Sequence, residues 1–140
     1  MGNIGMYLAG LPAFFAYLIT AAILLVAFMV AYSKITPHHE WKLIQEGNAA
    51  AATAFGGATL GFTIPLYSAM ANSVSFIDFI AWGIIAFIVQ IITFFAIKLV
   101  LKSKGQSLSG HITDGHVAYG IFAATIAIAV GLLNAASMIW

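Results

Sequence analysis

Four long apolar stretches constrain this chain more than any other feature. They run roughly from Leu8 to Tyr32, from Asn48 to Ala71, from Phe76 to Leu101 and from His116 to Trp140. The hydrocarbon core of a bilayer is about 30 Å thick, and roughly 20 mostly apolar helical residues cross it. A backbone facing lipid must satisfy its own hydrogen bonds, which a helix does within one segment. The stretches are rich in Ala, Leu and Ile and lack the polar–apolar alternation of a membrane barrel. The expected fold is an all-α membrane protein, with four transmembrane helices forming one domain over residues 1–140.

Composition removes the alternatives. Of the residues, 63% are hydrophobic and only 6% charged, whereas a soluble domain carries roughly 25% charged residues. Such a chain cannot cover a water-facing surface, and it is too apolar and aromatic for disorder. The absence of cysteine excludes disulfides and thiolate-held metal centres. A net charge of +1 leaves no basic patch for phosphates, so no nucleic acid partner is expected. The expected partner is the lipid bilayer.

The basic residues set an orientation. Lys34 and Lys42 lie after the first span, and Lys98, Lys102 and Lys104 cluster at the end of the third. The loop around Asn72 to Asp78 has no lysine. The positive-inside rule then places both lysine-bearing loops in the cytoplasm and both termini outside it. Met1 to Gly10 lacks the basic start of a signal peptide, so the first span is expected to be retained.

A shift of 68 positions, which lays Ile112 over Ile44, brings the halves into register. Ile44-Gln45-Glu46-Gly47-Asn48-Ala49-Ala50 then matches Ile112-Thr113-Asp114-Gly115-His116-Val117-Ala118 at Ile, Gly and Ala, with acidic Glu46 over acidic Asp114. The pattern predicts a tandem repeat of two helix pairs, units roughly 1–72 and 73–140, related by an axis along the membrane normal. Glu46 and Asp114 suit the positive end of a helix dipole, and Asn48 suits an N-cap.

Several blocks together carry a family resemblance. They are Ile35-Thr36-Pro37-His38-His39-Glu40, Leu43 to Ala51, Gly56-Gly57-Ala58-Thr59-Leu60-Gly61-Phe62 with Pro65-Leu66, and Ser73-Val74-Ser75 with Asp78, Trp82 and Gln90. Val130-Gly131-Leu132-Leu133-Asn134-Ala135-Ala136 closes the set. In this order they resemble the small bacterial inner-membrane proteins grouped as "domain of unknown function 350". The resemblance covers nearly the whole chain. It implies four helices, built as a tandem pair, in the bacterial inner membrane. It implies no activity and assigns no functional residue.

Within the spans, small residues recur at helical spacing. Thr53, Gly57, Gly61, Pro65 and Ala69 form one stripe, and Ala123, Ala127, Gly131 and Ala135 another. Such stripes let helices approach closely, either inside one protomer or between subunits of a homo-oligomer. Pro65 removes one backbone hydrogen bond and can kink its helix. Gln90 falls near mid-span and needs a partner, for which Thr20 is a candidate. Thr53, Thr59, Thr63 and Gln90 are either buried polar glue or the lining of a pore. No relay of carboxylates crosses the membrane, which weighs against an ion-driven transporter.

The lysine-bearing side gathers a polar rim of His38, His39, Glu40, Glu46, His111, Asp114 and His116. Imidazole and carboxylate are metal ligands, but His38 and His39 are adjacent and no HExxH-like spacing occurs, so no metal or other cofactor is expected. Nucleophile and nucleotide motifs are also missing, and no catalytic residue is expected. Two functions remain in view. One is a non-enzymatic, self-associating membrane subunit or scaffold whose cytoplasmic loops, with Trp41 between Glu40 and Lys42, are open to a protein partner. The other is an oligomeric channel or small-solute conduit lined by the polar residues around Gln90.

Overall fold

The computed structural model describes residues 3–138. Met1, Gly2, Ile139 and Trp140 lie outside the described residues, and with them the expected end of the fourth span. Six helices follow one another: α1 (Ile4–Ile35), α2 (Glu40–Gln45), α3 (Ala49–Asn72), α4 (Phe76–Val100), α5 (Leu108–Thr113) and α6 (Val117–Ala136). The long helices α1, α3, α4 and α6 are each apolar and long enough to cross a membrane. The short helices α2 and α5 were not foreseen. They lie in the two lysine-bearing connections, where six helical residues are too few to show in a search for long apolar periodicity.

Sequence explains where the helices begin and end. Asn3 caps α1 by accepting from Gly5 N–H at 3.1 Å. Asn48 accepts from Ala51 N–H at 2.9 Å at the start of α3. At α4, Ser75 Oγ accepts from Asp78 N–H at 3.1 Å, while Asp78 reaches back to accept from Val74 N–H at 3.0 Å. Each cap satisfies donors that the first helical turn leaves unpaired. The short helices end in matching turns. Gly47 N–H donates to Ile44 O and Asn48 N–H to Leu43 O; likewise Gly115 N–H donates to Ile112 O and His116 N–H to His111 O. Both glycines sit at positive φ, 85° and 79°, a conformation open to glycine and strained for other residues.

The core is an α3–α6 pair. Half of the most apolar stretch of α3 is buried, against 6% for α1. Matching contacts climb both helices together: Ala50 with Gly120, Gly57 with Ala124, Gly61 with Ala127 and Gly131. The two helices therefore run parallel. A Cβ added to Gly61 would lie 2.6 Å from Ala127 O, so only glycine permits this approach. Both small-residue stripes thus face each other inside one protomer. Pro65 is buried within a continuous α3 and does not interrupt it.

α1 and α4 attach through aromatics. Phe28 of α1 stacks on Phe62 of α3 at 4.7 Å and meets Phe87 of α4 edge-on at 5.5 Å. Tyr32 packs edge-on against Phe55 at 5.4 Å and Phe94 at 5.0 Å. Aromatic pairs of this kind add about 0.5–1.5 kcal/mol each beyond their buried area. The opposite face of α1, including Ile19, Ile23 and Val26, is exposed to the surroundings.

Candidate functional site

The polar residues of the lysine-bearing end divide into two buried clusters and an exposed fringe. The first cluster forms where α1 ends. Thr36, the C-cap of α1, donates to Glu40 Oε1 in a short contact, and its hydroxyl also lies 3.1 Å from Tyr32 O and Ser33 O. Glu40 opens α2 and is 3% exposed, so its carboxylate requires close partners. His38 Nε2 is 3.2 Å from Glu40 Oε1. That distance suits an ion pair with a protonated ring, and Nε2 makes no hydrogen bond. The other ring nitrogen, Nδ1, lies 2.6 Å from Ser109 Oγ of α5. His38 therefore ties the first connection to the second.

The second cluster centres on His111, which is 2% exposed. Its Nε2 is 3.0 Å from Ser103 O and its Nδ1 is 2.8 Å from His116 Nδ1. A backbone carbonyl only accepts, so Nε2 carries a proton; in the neutral ring, Nδ1 then accepts from His116. Tyr119 stacks on the His111 ring at 3.8 Å, and its hydroxyl meets Ser103 Oγ at 2.5 Å. The turn that delivers Ser103 is tight: Ser103 and Gln106 exchange backbone bonds around Lys104 and Gly105, both at positive φ.

Only part of the expected rim is a rim. His39, Glu46, Asp114 and His116 are exposed, whereas Glu40 and His111 are buried and the His38 side chain is 6% exposed. The reason is partnership: each buried group has a polar neighbour on another element. Among the described residues, no three His, Asp or Glu side chains converge in a metal-holding group. Between α2 and α5 lies an open groove of about 430 Å³, lined by His38, Lys42, Glu46, Ser109 and Asp114 among others. Trp41 of α2 is 70% exposed, as an interfacial anchor would be.

Within the spans, the expected polar set separates. Gln90 is buried, donates to Ala127 O at 3.3 Å and accepts from Asn134 Nδ2 at 3.3 Å. Asn134 also donates to Ala86 O at 3.4 Å. Thr20 is not the partner of Gln90: it lies on α1, and the amide turns toward α6 instead. Thr53, Thr59 and Thr63 donate to Ala49 O, Phe55 O and Thr59 O of their own helix, so their hydroxyls are spent locally. Asn134, Thr36, Ser109 and Tyr119 escaped sequence reasoning as site residues. The legible signal beside Thr36 was Pro37, since a helix usually ends at or before the residue preceding a proline. Ser109 lies 71 positions from His38, a distance at which no local pattern speaks.

A family model described as Domain of Unknown Function (DUF350) matches residues 6–138. The chain belongs to this family. DUF350 relatives include the UPF0719 inner membrane protein YjfL of Escherichia coli K12, 43% identical over 133 residues, which cover 95% of this chain and 98% of the relative. The same protein of strain O157:H7 matches equally. The UPF0719 transmembrane protein YshE of Bacillus subtilis is 26% identical over 123 residues, covering 88% of this chain and 90% of the relative. No solved structure matches the chain. The names place the E. coli relatives in the inner membrane and assign no enzymatic activity, and this DUF350 chain shares their membrane-spanning character.

Proposed function

We propose that the protein is a non-enzymatic subunit of the bacterial inner membrane that associates with a second copy of itself through α1. The exposure of α1 carries this reading: α3, α4 and α6 bury a third to a half of their apolar stretches, whereas α1 buries 6%. Its outer face holds a groove with Ala22 and Ala27 between Ile19, Ile23 and Val26. Small residues between larger ones let a second helix approach closely, and helix packing in lipid depends on such approach. A two-fold pair of α1 helices offers the same ridge and groove to both copies, as a closed dimer requires.

In this reading the lysine-bearing end faces the cytoplasm, following the positive-inside rule. The groove between α2 and α5 then offers Lys42, Glu46 and Asp114 to a cytoplasmic protein. The matching turns at Gly47 and Gly115, 68 positions apart like the sequence register, support descent of both halves from one helix-pair unit. Native mass measurement of the protein released from lipid nanodiscs tests self-association. A two-chain mass is expected, reverting to one chain in Ala22→Leu. A one-chain mass for the unaltered protein at every lipid ratio contradicts it.

A further inference from the structure

The polar groups buried along the α1–α4–α6 seam are not isolated. Two small internal cavities lie in series between mid-span and the lysine-bearing end. The first, about 20 Å³, is lined by Gln90, Thr93 and Tyr32 amid apolar neighbours. The second, about 10 Å³, is lined by Tyr32, Thr36, His38, Lys98 and Ser109 among others. A buried water needs roughly 10–15 Å³ of such space and two to four polar partners. The first cavity is sized for one water, and the second is at the threshold. Tyr32 lines both. His38 and Ser109 line the second cavity and also the open groove of about 430 Å³ beyond it.

One atom calls for such a water. His38 Nε2 is buried without a hydrogen bond, and an unsatisfied buried polar atom is destabilising. The second cavity, which His38 lines, is where a water would supply the missing partner. At the inner end of the series, Gln90 and Asn134 hold each other and the α4 and α6 backbones. Their three contacts are 3.3, 3.3 and 3.4 Å, beyond the usual 2.7–3.2 Å range. Bonds this long are readily replaced by a water. Asn134 in turn lines a groove open between α4 and α6. Polar atoms and water-sized space thus succeed one another from the lysine-bearing end to the Gln90–Asn134 pair, and the groove beyond Asn134 is mostly apolar, while the α3–α6 interface beside them is closed by glycine contacts.

We propose that this series is a proton-conducting water path, entered from the groove at Ser109 and His38, passing Tyr32 and Thr93, and gated by the Gln90–Asn134 pair. Conduction is by relay. Each water or imidazole takes a proton on one side, forming an O–H or N–H bond, and releases a different proton on the other. One proton enters as one leaves, driven by the existing gradient, with no net chemistry. Space for single waters excludes hydrated metal cations. Glu40 lies against His38 and Thr36, which line the second cavity together with Lys98. The path lies inside one protomer and does not depend on self-association.

The test is proton flux into vesicles of E. coli lipid that contain the purified protein and an internal pH dye, under a potassium–valinomycin potential. Flux above that of empty vesicles is expected, without entry of sodium. Gln90→Leu leaves the narrowest point without its polar partner for water and Tyr32→Phe removes one hydroxyl while keeping its ring contacts; both are expected to lose the flux. Thr125→Val, whose hydroxyl donates to Ile121 O on the exposed side of α6, should conduct unchanged. Helical content and elution volume identify variants that have not folded. No flux from the unaltered protein overturns the proposal whatever the variants do. Equal flux in folded Gln90→Leu and Tyr32→Phe, or parallel sodium entry, overturns it as well.

Discussion

Asn48 uses both ends of one amide. Its oxygen caps α3, and its nitrogen donates to Ile112 O at 2.8 Å across 64 positions of chain. Ser75 supplies a cap alone, at the start of α4. Removing a cap costs about 1 kcal/mol. Ser75→Ala is therefore expected to lower unfolding stability in mixed micelles by about that amount. Asn48→Ala should lose more, because the tie to α5 goes too; an equal loss would show that tie to be idle. The cap at Asn48 was readable from sequence, since an Asn before an apolar run is a start signal. Its second partner was not. His116 occupies the aligned position yet makes no cap, and turns to His111 instead. A residue's type announces what it can bond, but a tertiary neighbour decides what it does bond.

Among the elements, the four long helices were legible because length and apolarity alone mark a span. Their ends fall within a few residues of the expected ones, apart from the end expected at Trp140, which lies outside the described residues. The short helices were not legible: six residues of α2 and of α5 carry too little periodicity, and packing against α3 and α6 holds them. Both small-residue stripes were visible, while their mutual contact required the fold. Gly61 and Gly56 make the point testable. A Cβ at Gly61 meets the α6 backbone, whereas one at Gly56 meets nothing within 4 Å. Overpacking of this kind costs about 1–3 kcal/mol. Gly61→Ala should lose stability on that scale in a steric-trapping or denaturant measurement, and Gly56→Ala should not. Equal behaviour of the two would contradict the α3–α6 register.

For the molecule as a whole, the polarity of the two ends was legible from five lysines gathered in two connections. The buried clusters behind those lysines were not. His38, Glu40 and His111 read as rim residues because hydropathy reports the average medium of a segment and not the pairing of one side chain. Orientation yields to labelling, since the chain has no cysteine of its own. Val74 is 92% exposed at the end without lysines. Val74→Cys is expected to react with an impermeant maleimide on intact spheroplasts, and Gln45→Cys on α2 only after lysis. The reverse pattern would invert the membrane placement.

Self-association through α1 is the central claim, and cross-linking in native membranes tests it most directly. Ile23 lies on the exposed face of α1, and Ile88 on an exposed face of α4. Single-cysteine variants at the two positions, oxidised before any detergent is added, should differ. The account predicts a two-chain band from Ile23→Cys and a monomer from Ile88→Cys. A monomer from Ile23→Cys, or equal two-chain bands from both, would contradict it.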